Sequence, residues 1–162
     1  MTRHGLWLSL VLGLIAFAAD RAHKYIQIEL FHWPEGYFTP LTPFFDLGLV
    51  FNPGISYGLL DGIPSWGIAI LVTVALVALL VWWWRANSLL IRAGLAFCIG
   101  GAASNALDRV IYGGRVADFF HFHLGDWSFY IFNVADAAIT LGVGLLLLDL
   151  LGVGRSRAPN PA

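Results

Sequence analysis

Gly100-Gly101-Ala102-Ala103-Ser104-Asn105-Ala106-Leu107-Asp108-Arg109 closes one apolar run, and Phe132-Asn133-Val134-Ala135-Asp136 opens the next. A short aromatic segment joins them. Asp108, Arg109, Arg115, Asp118 and Asp136 all fall inside or beside these apolar runs. A carboxylate at the centre of a membrane helix costs roughly 2.5–3.5 kcal/mol on insertion scales. Several such groups so close together point to a site. Gly101, Asn105 and Asp108 stand at i, i+4 and i+7, on one helical face, with Arg109 beside them. Asn133 and Asp136 stand at i, i+3 where the next apolar run begins. The spacing predicts two polar faces that meet near one end of two neighbouring helices.

The rest of the chain explains why those helices lie in a membrane. Of its 162 residues, 59% are hydrophobic and 12% charged, too apolar for an ordinary soluble domain. The length allows about four spanning helices of roughly 20 residues each. The expected fold is all-α and membrane-embedded, with a β-hairpin at the membrane surface. Residues 1–154 are expected to form a single domain, and 155–162 a disordered tail. Net charge is −1 and no basic run is present, so nucleic acid is not an expected partner. Cys98 is the sole cysteine, which excludes an intrachain disulfide. It is read as a packing residue.

In chain order, the first span starts near Leu6 and continues past Asp20 through Tyr25, Ile26 and Ile28. That continuation favours a retained span over a cleaved signal peptide. Asp20 and Lys24, at i, i+4, are expected to form a supporting ion pair at a helix end. Residues 29–65 carry Pro34, Pro40, Pro43, Pro53 and Pro64 and are expected not to span. Within them, Leu47–Phe51 reads as a short strand running into an Asn52-Pro53-Gly54 turn. Trp66 to Trp84 is uncharged and ends in an aromatic belt, Trp82-Trp83-Trp84, before Arg85. Leu89 to Leu107 is the third expected span, with small residues for close helix contact. Aromatic runs on either side of Gly125-Asp126 read as a hairpin. Val134 to Leu151 is the fourth expected span.

Arg3, Arg85, Arg92, Arg155 and Arg157 flank one side, and most acids lie in the long loops on the other. The positive-inside rule then predicts cytoplasmic termini and an outward-facing polar cluster.

Two carboxylates converging in a partly dry cavity suit an aspartic dyad. Such close like charges cannot both ionise easily, so one keeps its proton. Intramembrane acids also serve proton or cation relays, so a small transporter is the competing reading. It predicts solute flux and no peptide cleavage; the chain has no evident internal repeat to support it. His121 and His123 with Asp118 imitate a metal site. However, i, i+2 histidines in a strand are read as interfacial, and no H-E-x-x-H occurs. No metal or other cofactor is expected. Ser104, among small residues on a helix, is read as packing rather than as a nucleophile.

Four blocks carry a resemblance. They are Asp20-x-x-x-Lys24; Asn52-x-Gly54; Gly100-Gly101-Ala102 through Asn105-x-x-Asp108-Arg109 to Val116-Ala117-Asp118-Phe119; and Phe132-Asn133-Val134-Ala135-Asp136-x-x-Ile139. Over nearly its whole length the chain resembles the bacterial lipoprotein signal peptidases (signal peptidase II). The resemblance implies an aspartic endopeptidase of the inner membrane with four transmembrane helices and a small β-rich cradle on the outer face. Its substrates would be diacylglyceryl-modified prolipoproteins, cut on the amino side of the lipidated cysteine. Asp118 and Asp136 match the catalytic pair. Asn105, Asp108, Arg109 and Asn133 match positions that shape the site and contact substrate or globomycin-type peptide antibiotics. Asn52 and Gly54 match a substrate-side loop, and Asp20 and Lys24 a supporting pair. Ser56-Tyr57 stands where Ala-Phe is more usual in the family. Membrane lipids are the expected surroundings, and the chain is expected to act as a monomer.

Overall fold

A computed structural model describes residues 3–53 and 64–152. Gly54, Ser56-Tyr57 and the tail expected at 155–162 lie outside the described residues. The chain is mostly helical, with a small antiparallel sheet.

The first helix, α1 (Arg3–Tyr25), runs on into a π-helical turn, Ile26–Leu30. The second, α2 (Ser65–Arg85), coincides with the uncharged run and stops after the tryptophan belt. The third, α3 (Leu89–Ile111), extends one turn beyond the expected end. Its N-cap is Ser88, whose side chain accepts the Ile91 N–H. Gly5–Leu30, Trp66–Arg85 and Leu89–Ile111 are three helices long and apolar enough to cross a membrane. A fourth, α4 (Val134–Leu150), is strongly apolar, but its 17 residues fall a little short of the usual ~20. Large apolar side chains such as Leu14, Ile15, Val74, Val77, Leu141 and Leu147 point outward and exposed. In water that surface would be a liability; in lipid it is the ordinary exterior.

The third helix packs between α1 and α4, and glycine sets the distances. A Cβ on Gly100 would collide with the Gly13 carbonyl of α1, and one on Gly101 with the Ala135 carbonyl of α4. Gly94 and Gly142 exclude side chains on each other in the same way. Lipid supplies no hydrophobic drive between helices, so close backbone approach is what joins them. The second helix joins this group through Trp83, which packs with Ala86 and Leu95 and donates its indole N–H to Ser9 Oγ at 3.1 Å.

The sheet runs in the order β1-β2-β3-β4, all antiparallel, with β1 at Phe38–Thr42, β2 at Phe45–Asn52, β3 at Val116–Leu124 and β4 at Trp127–Ser128. The expected strand at Leu47–Phe51 is present and longer. The Gly125-Asp126 hairpin also forms, with Gly125 at φ 58°, a conformation glycine adopts without strain. The first strand was not foreseen, because Pro40 and Pro43 read as breakers. Pro40 lies in the edge strand, where a missing N–H need not interrupt the ladder.

Leu49, Ala117 and Phe119 form the core of this cradle, covered by Ile28, Trp33 and Tyr112. Three bonds stitch β3 to Phe132, two residues before α4: Phe119 N–H and Phe120 N–H to Phe132 O at 3.0 and 2.8 Å, and Phe132 N–H to Phe120 O at 3.0 Å. They bring Asp118 beside the N-terminus of α4.

Candidate active site

Asp118 sits early in β3, and Asp136 in the first turn of α4. Both line one cavity of about 360 Å³, together with Asn52, Asn105, Arg109 and Tyr130. Asn133 connects the two acids. As N-cap of α4, its Oδ1 accepts the Asp136 N–H at 2.9 Å, and Asp136 Oδ2 accepts the Asn133 N–H at 3.2 Å. This is a reciprocal capping box. Since Oδ1 faces the helix, Nδ2 must face the other way. There it donates to Asp118 Oδ1 at 2.7 Å.

Each carboxylate receives further donors. Asn52 Nδ2 donates to Asp118 Oδ2 at 3.1 Å, and Asn105 Nδ2 to Asp136 Oδ1 at 2.9 Å. Lys24 determines how the Asn105 amide is turned. An ammonium only donates, so the atom 3.1 Å from Lys24 Nζ is Oδ1, and the NH₂ is left for Asp136. Asn105 Oδ1 also accepts from Asn133 Nδ2 at 3.1 Å.

Burial and the neighbouring Asp136 charge push the Asp118 carboxyl up to about 7, against the opposing amide hydrogen bonds from Asn52 and Asn133. The acid is 3% exposed. A carboxyl raised this far by burial and a like charge is matched to proton transfer near neutral pH.

Behind the cavity lies a second polar cluster. Lys24 Nζ is 2.7 Å from Asp20 Oδ2 and 2.5 Å from Asp108 Oδ2, and none of the three side chains is exposed. Arg21 pairs with the other Asp108 oxygen. Asp20 also accepts the Ser104 hydroxyl at 2.6 Å and the Ala135 N–H at 2.9 Å. That last bond satisfies an N–H at the start of α4 that has no partner within the helix. Three helices are thus tied at one point directly behind the two acids.

Every expected site residue among the described ones falls in these two layers. Asn52, Asn105, Arg109, Asp118 and Asp136 face the cavity, and Asn133 bridges it. Asp108, expected among the site-shaping and substrate-contacting positions, faces away from the cavity. It accepts the Ala117 N–H at 3.1 Å and so holds the residue before Asp118. Helical phase explains the difference: Asp108 and Arg109 are neighbours in sequence but about 100° apart around the axis. Arg109 donates from Nη1 to Asn105 O at 3.0 Å, while its buried Nε makes no hydrogen bond. Ser104 is no mere packing residue, since its hydroxyl belongs to the Asp20 cluster. Arg21, Tyr130 and Thr140 were not singled out by sequence. Thr140, one turn after Asp136, had a signal in its i+4 spacing. Tyr130 had none, because a loop residue has no periodicity.

The chain's likeness to known proteins covers this whole assembly. Residues 12–152 match the family model described as Signal peptidase (SPase) II. A lipoprotein signal peptidase of Beijerinckia indica subsp. indica is 43% identical over 155 residues, covering 92% of each chain. That of Brucella ovis is 38% identical over 162 residues, covering 97% of this chain and 98% of the relative. A solved bacterial membrane enzyme superposes with a TM-score of 0.79 at 25% identity, covering 96% of this chain and 94% of its own. The polar residues thus sit in a fold and a sequence shared along nearly their full length, and this chain belongs to the signal peptidase II family of membrane peptidases.

Proposed function

We propose that the chain is an aspartic endopeptidase that removes the signal peptide from diacylglyceryl-modified prolipoproteins, on the amino side of the lipidated cysteine. The observation that carries this reading is the pair Asp118 and Asp136 in one cavity, joined through Asn133. Asp118, raised to about 7, is the natural holder of the proton the pair shares. Asp136 then takes a proton from water, and the Asp118 carboxyl hydrogen-bonds the scissile carbonyl. Water adds to the carbonyl carbon to give a tetrahedral gem-diol. Proton return to the amide nitrogen lets the C–N bond break, freeing an acid and the amine of the cysteine. Arg109 and Asn52 face the same cavity and supply donors for substrate carbonyls. They are also contacts for inhibitors of the globomycin type.

A second cavity of about 720 Å³ shares Tyr130, Asp136 and Thr140 with the first and is otherwise apolar, with Phe129, Phe132 and Leu141 in its wall. A trough of this kind suits acyl chains beside the cleavage point. Each buried methylene contributes about 0.8 kcal/mol, which confines such a substrate to the membrane. In the proposed arrangement α4 is a fourth span, both termini are cytoplasmic, and the acids lie near the outer face of the inner membrane.

The test is a gel-shift cleavage assay on a purified diacylated prolipoprotein. Asp118→Asn and Asp136→Asn should each lower turnover by about 10²–10⁴-fold, the range general acid–base groups supply. The double variant should lose little more, because the two act as a unit. Substantial cleavage by a well-folded single variant would falsify the dyad.

A further inference from the structure

The strands β2 and β3 gather a third set of polar groups, away from the dyad. Asp46 and His121 are paired in register, and His123 lies two residues on, on the same face. Asp118 is an odd number of residues from both histidines, so its side chain leaves the other face of the strand. The grouping of the histidines with Asp118 that the sequence raised is therefore replaced by one with Asp46. His121 Nδ1 lies 3.3 Å from Asp46 Oδ2, and His123 Nε2 lies 3.2 Å from Asp46 Oδ1. One ligand atom from each residue falls within 4.8 Å of the other two. The two rings stack with centroids 5.2 Å apart, and Phe38 packs edge-on against His121.

Ser128 Oγ lies 2.7 Å from His121 Nε2, so Nδ1 is the ring atom that faces Asp46. His123 is placed differently. Its Nε2 is close to Asp46 Oδ1, yet the ring is turned so that this buried nitrogen makes no hydrogen bond. A cation shared by a nitrogen and an oxygen lies off the line joining them, so a turned ring is what it requires. Two ligands about 2.0–2.1 Å from one tetrahedral zinc ion are about 3.3 Å apart. The 3.2 Å between His123 Nε2 and Asp46 Oδ1 is close to that edge, and His121 Nδ1 faces the other oxygen of the same carboxylate.

We infer that Asp46, His121 and His123 form a binding site for a divalent cation of the zinc class, with one coordination position open to water. Imidazole nitrogens with a carboxylate oxygen are a donor set suited to zinc. Ser128 holds the His121 ring as an outer partner. The ion would pin β2 to β3, the strand that carries Asp118, without touching the dyad.

The full chain, purified in detergent without a histidine tag and stripped by chelation, is dialysed against Zn²⁺ alone. One ion per chain is expected, with a rise in melting temperature. Asp46→Asn, nearly isosteric, should weaken zinc binding at least tenfold and abolish that rise. Ser128→Ala, at an exposed side chain, should weaken it about tenfold, and it tests the site even if a histidine variant fails to fold. A folded wild type that takes up no more zinc than folded Asp46→Asn overturns the inference. The cluster is then an imidazole–carboxylate contact and nothing more.

Discussion

Asn133 makes contact with both acids, and its few atoms explain much of the site. Its backbone and Oδ1 lock Asp136 into the first turn of α4, while its Nδ2 reaches Asp118. The geometry leaves Asp118 buried next to a like charge, which raises it to about 7 from an ordinary value near 3.9. The sign of the pH dependence follows. Between about 4 and 7 the folded chain holds a proton that the unfolded chain has released. The associated stability is complete below about 4 and lost as pH rises through 7. The melting temperature of the wild type should therefore fall between pH 5 and pH 8, and that of Asp118→Asn should fall less. Turnover that needs the shared proton should decline over the same upper edge, with apparent constants belonging to the pair. A kcat/KM that stays level or rises from pH 6 to pH 9 would sink the shared-proton mechanism.

Among the elements, α1, α3 and α4 meet where Lys24 lies between Asp20 and Asp108. Two buried carboxylates face one ammonium, with Arg21 balancing the second acid. Removing one partner of a buried ion pair commonly costs 3–5 kcal/mol, about the effect expected of Lys24→Met. Asp20→Asn keeps the shape but removes a charge that Lys24 faces and weakens the bonds from Ser104 and the Ala135 N–H. Its cost should likewise be about 3–5 kcal/mol, because it too removes one partner of a buried ion pair. Because this cluster stands behind the cavity, stability should suffer more than the turnover of the folded fraction. Thermal unfolding in detergent, run beside the cleavage assay, separates the two. A fully stable but inactive Asp20→Asn would show that Asp20 takes part in the chemistry.

At the scale of the whole molecule, a lipid-facing exterior surrounds one polar end. The loops near Glu35 and Trp127 belong to the cradle and expose both residues. Five of the basic residues lie toward the opposite helix ends or in the flanking segments, which predicts cytoplasmic termini. Cysteines placed at Glu35 and Trp127 in a Cys98→Ala background should be labelled from outside intact cells. Cys98 is buried, so its replacement by another small residue should disturb little. Labelling only after permeabilisation would reverse the proposed orientation and move the acids to the inner face.

Much of this was legible along the chain because it depends on local properties. Hydropathy located the three long helices, and i, i+4 spacing paired Asp20 with Lys24. The Asn133–Asp136 spacing foreshadowed the capping box, and a Gly-Asp pair marked the hairpin. Partner choice was not legible. No spacing rule links Lys24 to Asp108 or Asp46 to His123, because those meetings depend on helix packing at Gly100 and Gly101 and on the β2–β3 register. The first strand was hidden because proline reads as a breaker until the strand is known to lie at an edge. Asp108 faced the cavity in the sequence reading because one helical face is wide. The packing of α1 against α3 turned it toward Lys24, where its charge is balanced. Residue type and period thus determined which groups had to be sheltered within a membrane fold. Only the crossing of the helices and the pairing of the strands decided which of them met, since those contacts join parts of the chain tens of residues apart.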